Sequence, residues 1–163
     1  MYRYLLRHCG NPGIADELFQ DVWMKAIRAR TSYVPTAKFT TWLYTLARHR
    51  LVDHWRVSGR AKHASIDDDG DPASREEVEA LPAARVFEPE VRLETQRLGE
   101  RLHAALGNLP SGQRDAFLLQ HEGGLSLAEI ADLTGVGVET VKSRLRYAIA
   151  KLRSELSSLR EEA

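Results

Sequence analysis

Apolar residues in this chain recur every three or four positions, in two blocks that an acidic interval separates. In the first block Ile14, Leu18 and Val22 lie four residues apart, and similar spacing continues from Leu43 to Leu51. Such spacing places the apolar side chains on one face of a helix. No stretch alternates apolar and polar residues for long enough to predict a strand. The pattern therefore predicts an all-α protein made of two small helical domains.

The first predicted domain, residues 1–57, is divided by turn-forming residues. Asn11-Pro12-Gly13 and Val34-Pro35 each interrupt the helical pattern. The intervals between them predict helices over about 14–30 and 39–56. Residues 1–9 are expected to be the end of a helix that starts upstream of Met1. This domain is thus predicted to be of a three-helix type.

Residues 58–88 lack helical periodicity and include the run Asp67-Asp68-Asp69-Gly70-Asp71-Pro72. A segment of this composition cannot bury enough apolar area to offset the cost of ordering its chain. We therefore expect a flexible acidic linker, whose reach is roughly 100 Å at about 3.3 Å per residue. Residues 1–60 carry 10 Lys and Arg against 4 Asp and Glu, although the whole chain has no net charge. That asymmetry favours nucleic-acid contact.

Helical spacing resumes after Pro89 and defines the second predicted domain, residues 89–163. Leu98 begins an apolar stripe there, and Ser111 is expected to cap the following helix. Ser126 and Glu129 have the spacing of a capping box, in which each satisfies a free backbone N–H of the other. Gly135 provides the positive φ that a tight turn between two crossing helices requires.

Residues 126–153 thus have the anatomy of a helix-turn-helix. Ile130, Val136, Val141 and Leu145 can fill the core beneath it. Short polar and basic side chains remain outward on the second helix, where they can reach phosphates and base edges in a major groove: Thr140, Lys142, Ser143, Arg146 and Tyr147. A helical hairpin packed for structural reasons alone remains the alternative.

An aromatic and basic helix follows the break at Pro35. Phe39, Trp42 and Tyr44 lie within six residues and precede Arg48 and Arg56. Aromatic faces can stack on unpaired bases, and each stacked base contributes roughly 1–3 kcal/mol. The basic groups can meanwhile contact the phosphate backbone of the nucleic acid. The alternative is that these aromatic side chains belong to the core.

Several functional classes find no support in the residues. The chain has one cysteine, Cys9, and six histidines that do not pair at helical spacing, so no metal site or cofactor is predicted. No apolar run approaches the roughly 20 residues of a membrane span, and Met1-Tyr2-Arg3-Tyr4 does not begin a signal peptide. Catalytic nucleophile patterns and phosphate-binding glycine loops are also missing. We therefore expect a cytoplasmic protein that is not an enzyme and does not insert into a membrane.

In their order and spacing, these motifs resemble the extracytoplasmic-function (ECF) sigma factors of bacterial RNA polymerase, in the sigma-70 family. Residues 17–23 resemble region 2.2, and residues 39–53 resemble region 2.3 running into region 2.4. Residues 109–117 resemble the opening of region 4. Residues 124–131 and 139–145 resemble its helix-turn-helix.

The resemblance implies a function in transcription initiation. A sigma factor of this type binds core RNA polymerase, recognises the minus-ten and minus-thirty-five promoter elements, and promotes DNA melting. An anti-sigma factor is a further candidate partner. A helix-turn-helix transcription regulator that does not itself replace a sigma factor is the alternative, and copurification with RNA polymerase would separate the two.

The resemblance also assigns residues. Four would bind core polymerase: Glu17, Gln20, Asp21 and Trp23. Eight would bind minus-ten DNA, in part through a loop over residues 31–38 that captures a flipped base: Tyr33, Lys38, Phe39, Trp42, Tyr44, Arg48, His49 and Arg56. Seven would bind minus-thirty-five DNA: Arg114, Thr140, Lys142, Ser143, Arg144, Arg146 and Tyr147. His49 and Tyr147 depart from the residue types common at these positions in the family.

Overall fold

A computed structural model describes residues 1–31, 33–59 and 89–157, and every regular element within these ranges is an α-helix. The helices are α1 (Tyr2–Cys9), α2 (Pro12–Ala29), α3 (Phe39–Val57), α4 (Pro89–Gly107), α5 (Ser111–His121), α6 (Leu127–Thr134) and α7 (Val138–Ser157). The all-α prediction is confirmed. From residue 60 onward, the expected acidic linker lies outside the described residues. In the part of the chain that is described, no helix combines the length and the apolar character that crossing a membrane requires.

Local sequence signals explain where several helices begin and end. The Asn11 side chain accepts a hydrogen bond from the Ile14 backbone N–H (3.1 Å), and Pro12 occupies the first turn of α2. The predicted capping box at α6 is present, and Gly135 ends that helix with φ 76°. The expected Ser111 cap is wrong, because α5 begins at Ser111 and Pro110 precedes it without a side-chain cap. Leu98 is also 55% exposed, so it does not extend the apolar stripe.

Helices α1–α3 form an N-terminal unit, and α4–α7 form a C-terminal unit. Leu18, Leu51 and Trp55 are buried in the first, while Leu118 and Ile130 are buried in the second. The buried residues of both units belong to one continuous core cluster, and α1 packs against α4. The units therefore lie side by side and are in contact with each other.

Candidate nucleic-acid interface

Three aromatic rings lie together at the start of α3 and in the loop before it. The Tyr33 and Trp42 ring centroids are 4.8 Å apart, and those of Phe39 and Trp42 are 5.6 Å apart. Phe39 is 49% exposed, and the other two rings are half-buried. We call Tyr33, Phe39 and Trp42 the aromatic platform. The exposed parts of this platform can stack on unpaired bases. Trp42 also packs in part against the hydrophobic core, so the core alternative holds for part of that side chain.

The remaining predicted minus-ten residues divide into two groups. Lys38, His49 and Arg56 are exposed. Tyr44 and Arg48, by contrast, are only 5% and 9% exposed. For Tyr44 the alternative of a core residue fits this arrangement, and both side chains are covered by the C-terminal unit rather than open to a ligand.

The partner of Arg48 is a buried carboxylate on α5. The Asp115 Oδ2 atom accepts a hydrogen bond from Arg48 Nε (2.9 Å), and its Oδ1 atom accepts one from the Tyr4 hydroxyl (2.7 Å). His8 Nε2 lies 3.4 Å from Asp115 Oδ1. We call Tyr4, His8, Arg48 and Asp115 the Asp115 cluster. It joins α1 and α3 of the N-terminal unit to α5 of the C-terminal unit.

The electrostatics of the Asp115 cluster follow from its burial. Burial raises the pKa of Asp115, but its contacts with His8 and Arg48 more than offset this and lower the pKa to about 2. Burial also lowers the pKa of His8, and this outweighs the opposing influence of Asp115. At neutral pH the cluster therefore holds an ionised Asp115 with a neutral His8.

Further polar contacts also join the units. The Arg7 guanidinium lies 2.8 Å from Glu122 Oε1, and the Tyr44 hydroxyl donates to the Glu122 carbonyl oxygen at 3.1 Å. The Thr41 hydroxyl donates to Glu129 Oε1 at 2.8 Å. Hydrogen bonds from the Ser126 backbone N–H and hydroxyl lower the pKa of Glu129 to about 2, so this carboxylate is ionised as well.

The second helix of the helix-turn-helix, α7, presents a polar and basic surface. Thr140, Lys142, Arg146 and Tyr147 are exposed, and Ser143 is half-buried. The Arg146 guanidinium carbon lies 5.1 Å from the centroid of the Tyr147 ring. These five positions are the ones that the helical pattern predicts to face outward.

The two other arginines assigned to minus-thirty-five DNA have different surroundings. Arg144 is only 4% exposed, since it lies on the same face of α7 as the buried Val141 and Ala148. The Arg114 guanidinium donates to the carbonyl oxygens of Gly107 (2.6 Å) and Leu109 (3.1 Å). Arg114 therefore satisfies free carbonyl groups at the end of α4.

An acidic and apolar surface covers one side of α2. Glu17, Gln20 and Trp23 are exposed, whereas Asp21 is half-buried and lies 2.7 Å from the Arg50 guanidinium. Met24 and Ile27 extend this surface with about half of each side chain exposed. Sequence reasoning missed both, although their spacing from Gln20 and Trp23 places them on the same face.

Sequence reasoning also missed most of the Asp115 cluster. Neither Tyr4, His8 nor Asp115 was expected to have a role. One available signal is the position of Asp115, which directly precedes the apolar run Ala116-Phe117-Leu118-Leu119. A carboxylate within a helix on its buried face requires partners.

Two family models match this chain, one in each unit. The family model for Sigma-70 region 2 matches residues 1–61, and the model for Sigma-70, region 4 matches residues 99–152. The ECF RNA polymerase sigma factor EcfG of Rhodopseudomonas palustris is 30% identical over 151 residues, which cover 92% of this chain and 73% of that protein. SigE of Mycolicibacterium smegmatis, also an ECF RNA polymerase sigma factor, is 31% identical over 157 residues. These cover 96% of this chain and 57% of that relative's length.

Solved structures share the fold. The sigma factor RpoE of Bartonella quintana, in complex with the anti-sigma factor NepR, matches with a TM-score of 0.72 and 24% identity over 96% of this chain and 89% of that chain. CnrH, in complex with the cytosolic domain of CnrY, matches with a TM-score of 0.60 and 23% identity over 96% of this chain and 80% of that one. The family models and the EcfG relative give the assignment. This chain belongs to the ECF sigma factors of the sigma-70 family.

Proposed function

We propose that this protein binds core RNA polymerase, directs it to promoters through a minus-ten and a minus-thirty-five element, and promotes melting of the DNA. One observation carries the proposal beyond family membership. A single chain presents an open aromatic platform beside exposed basic residues, and also an outward polar face on a helix-turn-helix. The first suits unpaired bases and the second suits a duplex.

Recognition of the minus-ten element is assigned to the start of α3. Bases released from the duplex stack on the aromatic platform, while Lys38, His49 and Arg56 contact phosphates. Stacking of roughly 1–3 kcal/mol per base favours the melted state over the duplex. Tyr44 and Arg48 are available to DNA only when the C-terminal unit is displaced from them.

Recognition of the minus-thirty-five element is assigned to five residues of α7: Thr140, Lys142, Ser143, Arg146 and Tyr147. Their exposure and spacing suit insertion of this helix into a major groove. Arg114 and Arg144 are assigned a supporting role instead. Arg114 holds the end of α4, and Arg144 packs beneath the recognition face.

Binding of core polymerase is assigned to the exposed face of α2. The acidic and amide groups of Glu17, Gln20 and Asp21 suit basic side chains on a partner helix. Trp23 is accompanied by the exposed Met24 and Ile27, which provide an apolar centre for the contact.

We also propose domain boundaries of 1–57 and 89–163, with residues 58–88 as the linker. A linker raises the effective concentration of each domain at its own DNA element once the other is bound. The protein is proposed to act in the cytoplasm as a regulatory DNA-binding protein and not as an enzyme. The complex of RpoE with the anti-sigma factor NepR supports an anti-sigma factor as a further partner.

Binding to purified bacterial core polymerase, followed by fluorescence anisotropy of the labelled protein, tests this proposal. We expect saturable binding that Trp23→Ala weakens at least tenfold. Val57→Ala serves as the control, because Val57 is exposed on α3 and lies outside every proposed contact surface. If core polymerase does not bind while duplex DNA does, the protein is a helix-turn-helix regulator that does not replace a sigma factor.

A further inference from the structure

An ion pair between α2 and α3 lies at the border of the face to which polymerase binding is assigned. The Arg50 guanidinium of α3 holds the Asp21 carboxylate of α2 through two nitrogen atoms. Nε and Nη2 of Arg50 each lie 2.7 Å from the same oxygen, Asp21 Oδ2. Asp21 Oδ1 accepts no hydrogen bond from any residue that the structure describes. One oxygen of this carboxylate is therefore held by α3, while the other can still accept a bond from a partner.

The packing of α2 against α3 explains why these two side chains meet. Val22 directly follows Asp21, and Leu51 directly follows Arg50; both apolar side chains are buried. The Asp21 and Arg50 side chains lie at the edge of this contact, where 45% and 29% of their respective surfaces stay exposed. An ion pair that is this exposed contributes little to the stability of a fold. The apolar contact beneath it is what holds the two helices together.

The neighbours of Asp21 on α2 belong to the proposed polymerase-binding face. Glu17 precedes Asp21 by four residues and Met24 follows it by three, so both share its side of the helix. Glu17 is exposed, and no hydrogen bond or ion pair orients its carboxylate within the described residues. Of these two acids, Asp21 alone is held in one orientation before a partner arrives.

Arg50 has two opposing effects on how Asp21 binds a cation. A carboxylate that is already oriented loses less rotamer freedom when a partner binds, which favours binding. The positive charge of Arg50 also repels a second cation, which disfavours binding. At this exposed position water and salt screen that repulsion, whereas the gain from orientation is not screened. The net effect of Arg50 should therefore be tighter binding.

We propose that Arg50 is a positioning residue for core polymerase, which fixes Asp21 through Oδ2 so that Oδ1 can accept a hydrogen bond from a basic side chain of the polymerase. This inference rests on the proposed function, since it assumes that core polymerase binds α2. Arg50 also directly follows His49, which is assigned to minus-ten DNA. The ion pair thus connects the polymerase-binding face of α2 with the DNA-binding helix.

A double-mutant cycle on binding to purified bacterial core polymerase tests this inference, with fluorescence anisotropy of the labelled protein as the readout. We expect Arg50→Gln to weaken binding about two- to tenfold, the range that corresponds to immobilising one side chain. In an Asp21→Asn background, the same substitution should change the affinity less than about twofold. Arg101→Gln is the matched control, because Arg101 is exposed on α4, loses the same charge and lies outside every proposed contact surface.

Thermal unfolding separates positioning from stability. Arg50→Gln and Asp21→Asn should each keep the midpoint within about 4 °C of the parent protein, as expected for an exposed ion pair. A larger fall of the midpoint that accompanies the loss of affinity would overturn the inference, because Arg50 would then support the fold as a whole.

The remaining outcomes are also distinct. Equal weakening by Arg50→Gln in the parent and in the Asp21→Asn background would overturn the inference, because Arg50 would then act without Asp21. Tighter binding of Arg50→Gln would overturn it as well, since Arg50 would be competing with the polymerase for Asp21. If the parent protein binds core polymerase and Arg50→Gln binds equally well, the inference fails alone. If the parent protein does not bind core polymerase, the proposed function fails and the inference fails with it.

Discussion

The free energy of unfolding should depend on the charge of Asp115. Asp115→Asn keeps the side-chain volume but removes the negative charge beside Arg48. Asp115 Oδ2 accepts from Arg48 at 2.9 Å, and Oδ1 accepts from Tyr4 at 2.7 Å. In the variant the amide oxygen can still accept from Arg48 and the amide nitrogen can donate to the Tyr4 hydroxyl oxygen, so the main loss is the ionic character of the Arg48 bond. A hydrogen bond to a charged group contributes about 1.5–3 kcal/mol. Breaking a buried ion pair costs about 3–5 kcal/mol when the other charge stays buried.

The Arg48 side chain is 11% exposed and that of Asp115 is 1% exposed, so solvent screens this pair weakly. If the two units separate in the variant, however, the Arg48 guanidinium regains contact with water, which limits the loss of stability. We therefore expect the free energy of unfolding to fall by about 2–3 kcal/mol at neutral pH. Urea denaturation followed by tryptophan fluorescence measures it, since Trp55 packs against His8 with ring centroids 5.8 Å apart.

The pH dependence of this difference provides an internal check. The pKa of Asp115 is lowered from 3.8 to about 2 in the folded protein, so its contribution is complete above the unfolded value and is lost as the pH falls through the folded value. The difference in the free energy of unfolding between the parent protein and Asp115→Asn should therefore disappear between about pH 4 and pH 2. Asp132→Asn, on the exposed surface of α6, should change stability by less than about 0.5 kcal/mol. If Asp115→Asn changes stability at neutral pH as little as Asp132→Asn does, the charge of Asp115 does not stabilise the fold.

Three further perturbations have defined outcomes. Because burial lowers the pKa of His8 below 6.5, the folded protein binds protons less readily than the unfolded chain, so the free energy of unfolding should fall as the pH falls below about 6.5. His8→Gln should reduce that fall in urea denaturation, and a parent profile that stays flat from about pH 6.5 to about pH 5 would contradict the prediction. Ser126→Ala removes the cap of α6 and should cost about 1 kcal/mol in thermal unfolding, with Ser154→Ala near zero; equal effects would reject the capping argument. Trp42→Ala should reduce promoter melting, detected by permanganate reactivity, by roughly 10–100-fold while leaving core binding intact, as loss of one stacked base predicts; unchanged melting would exclude the platform from the process.

Most helix positions and the cap of α6 were predictable from the sequence because both depend on residues near one another in the chain, whereas the Ser111 cap was predicted wrongly. The capping box of Ser126 and Glu129 and the turn at Gly135 need only a few neighbouring positions to form. The outward face of α7 followed from the same periodicity. Arg144 could have been recognised as buried from this pattern alone, because it lies three residues from Val141 and four from Ala148.

The contact between the two units could not be predicted in this way. Tyr4 and Asp115 are 111 residues apart, and helical periodicity contains no information on which distant face a side chain will contact. For this reason Tyr44 and Arg48 were assigned to DNA without any sign that a carboxylate and a carbonyl group cover them. Their roles in DNA binding stay a prediction that depends on opening of the molecule.

Transcription by purified bacterial core polymerase, with and without this protein, from a library of upstream sequences tests the proposed sigma-factor function most directly. We expect transcripts that appear only when the protein is added, from templates that share two spaced motifs. Transcripts that do not depend on the protein, or no initiation from any template despite stable binding to core polymerase, would contradict it.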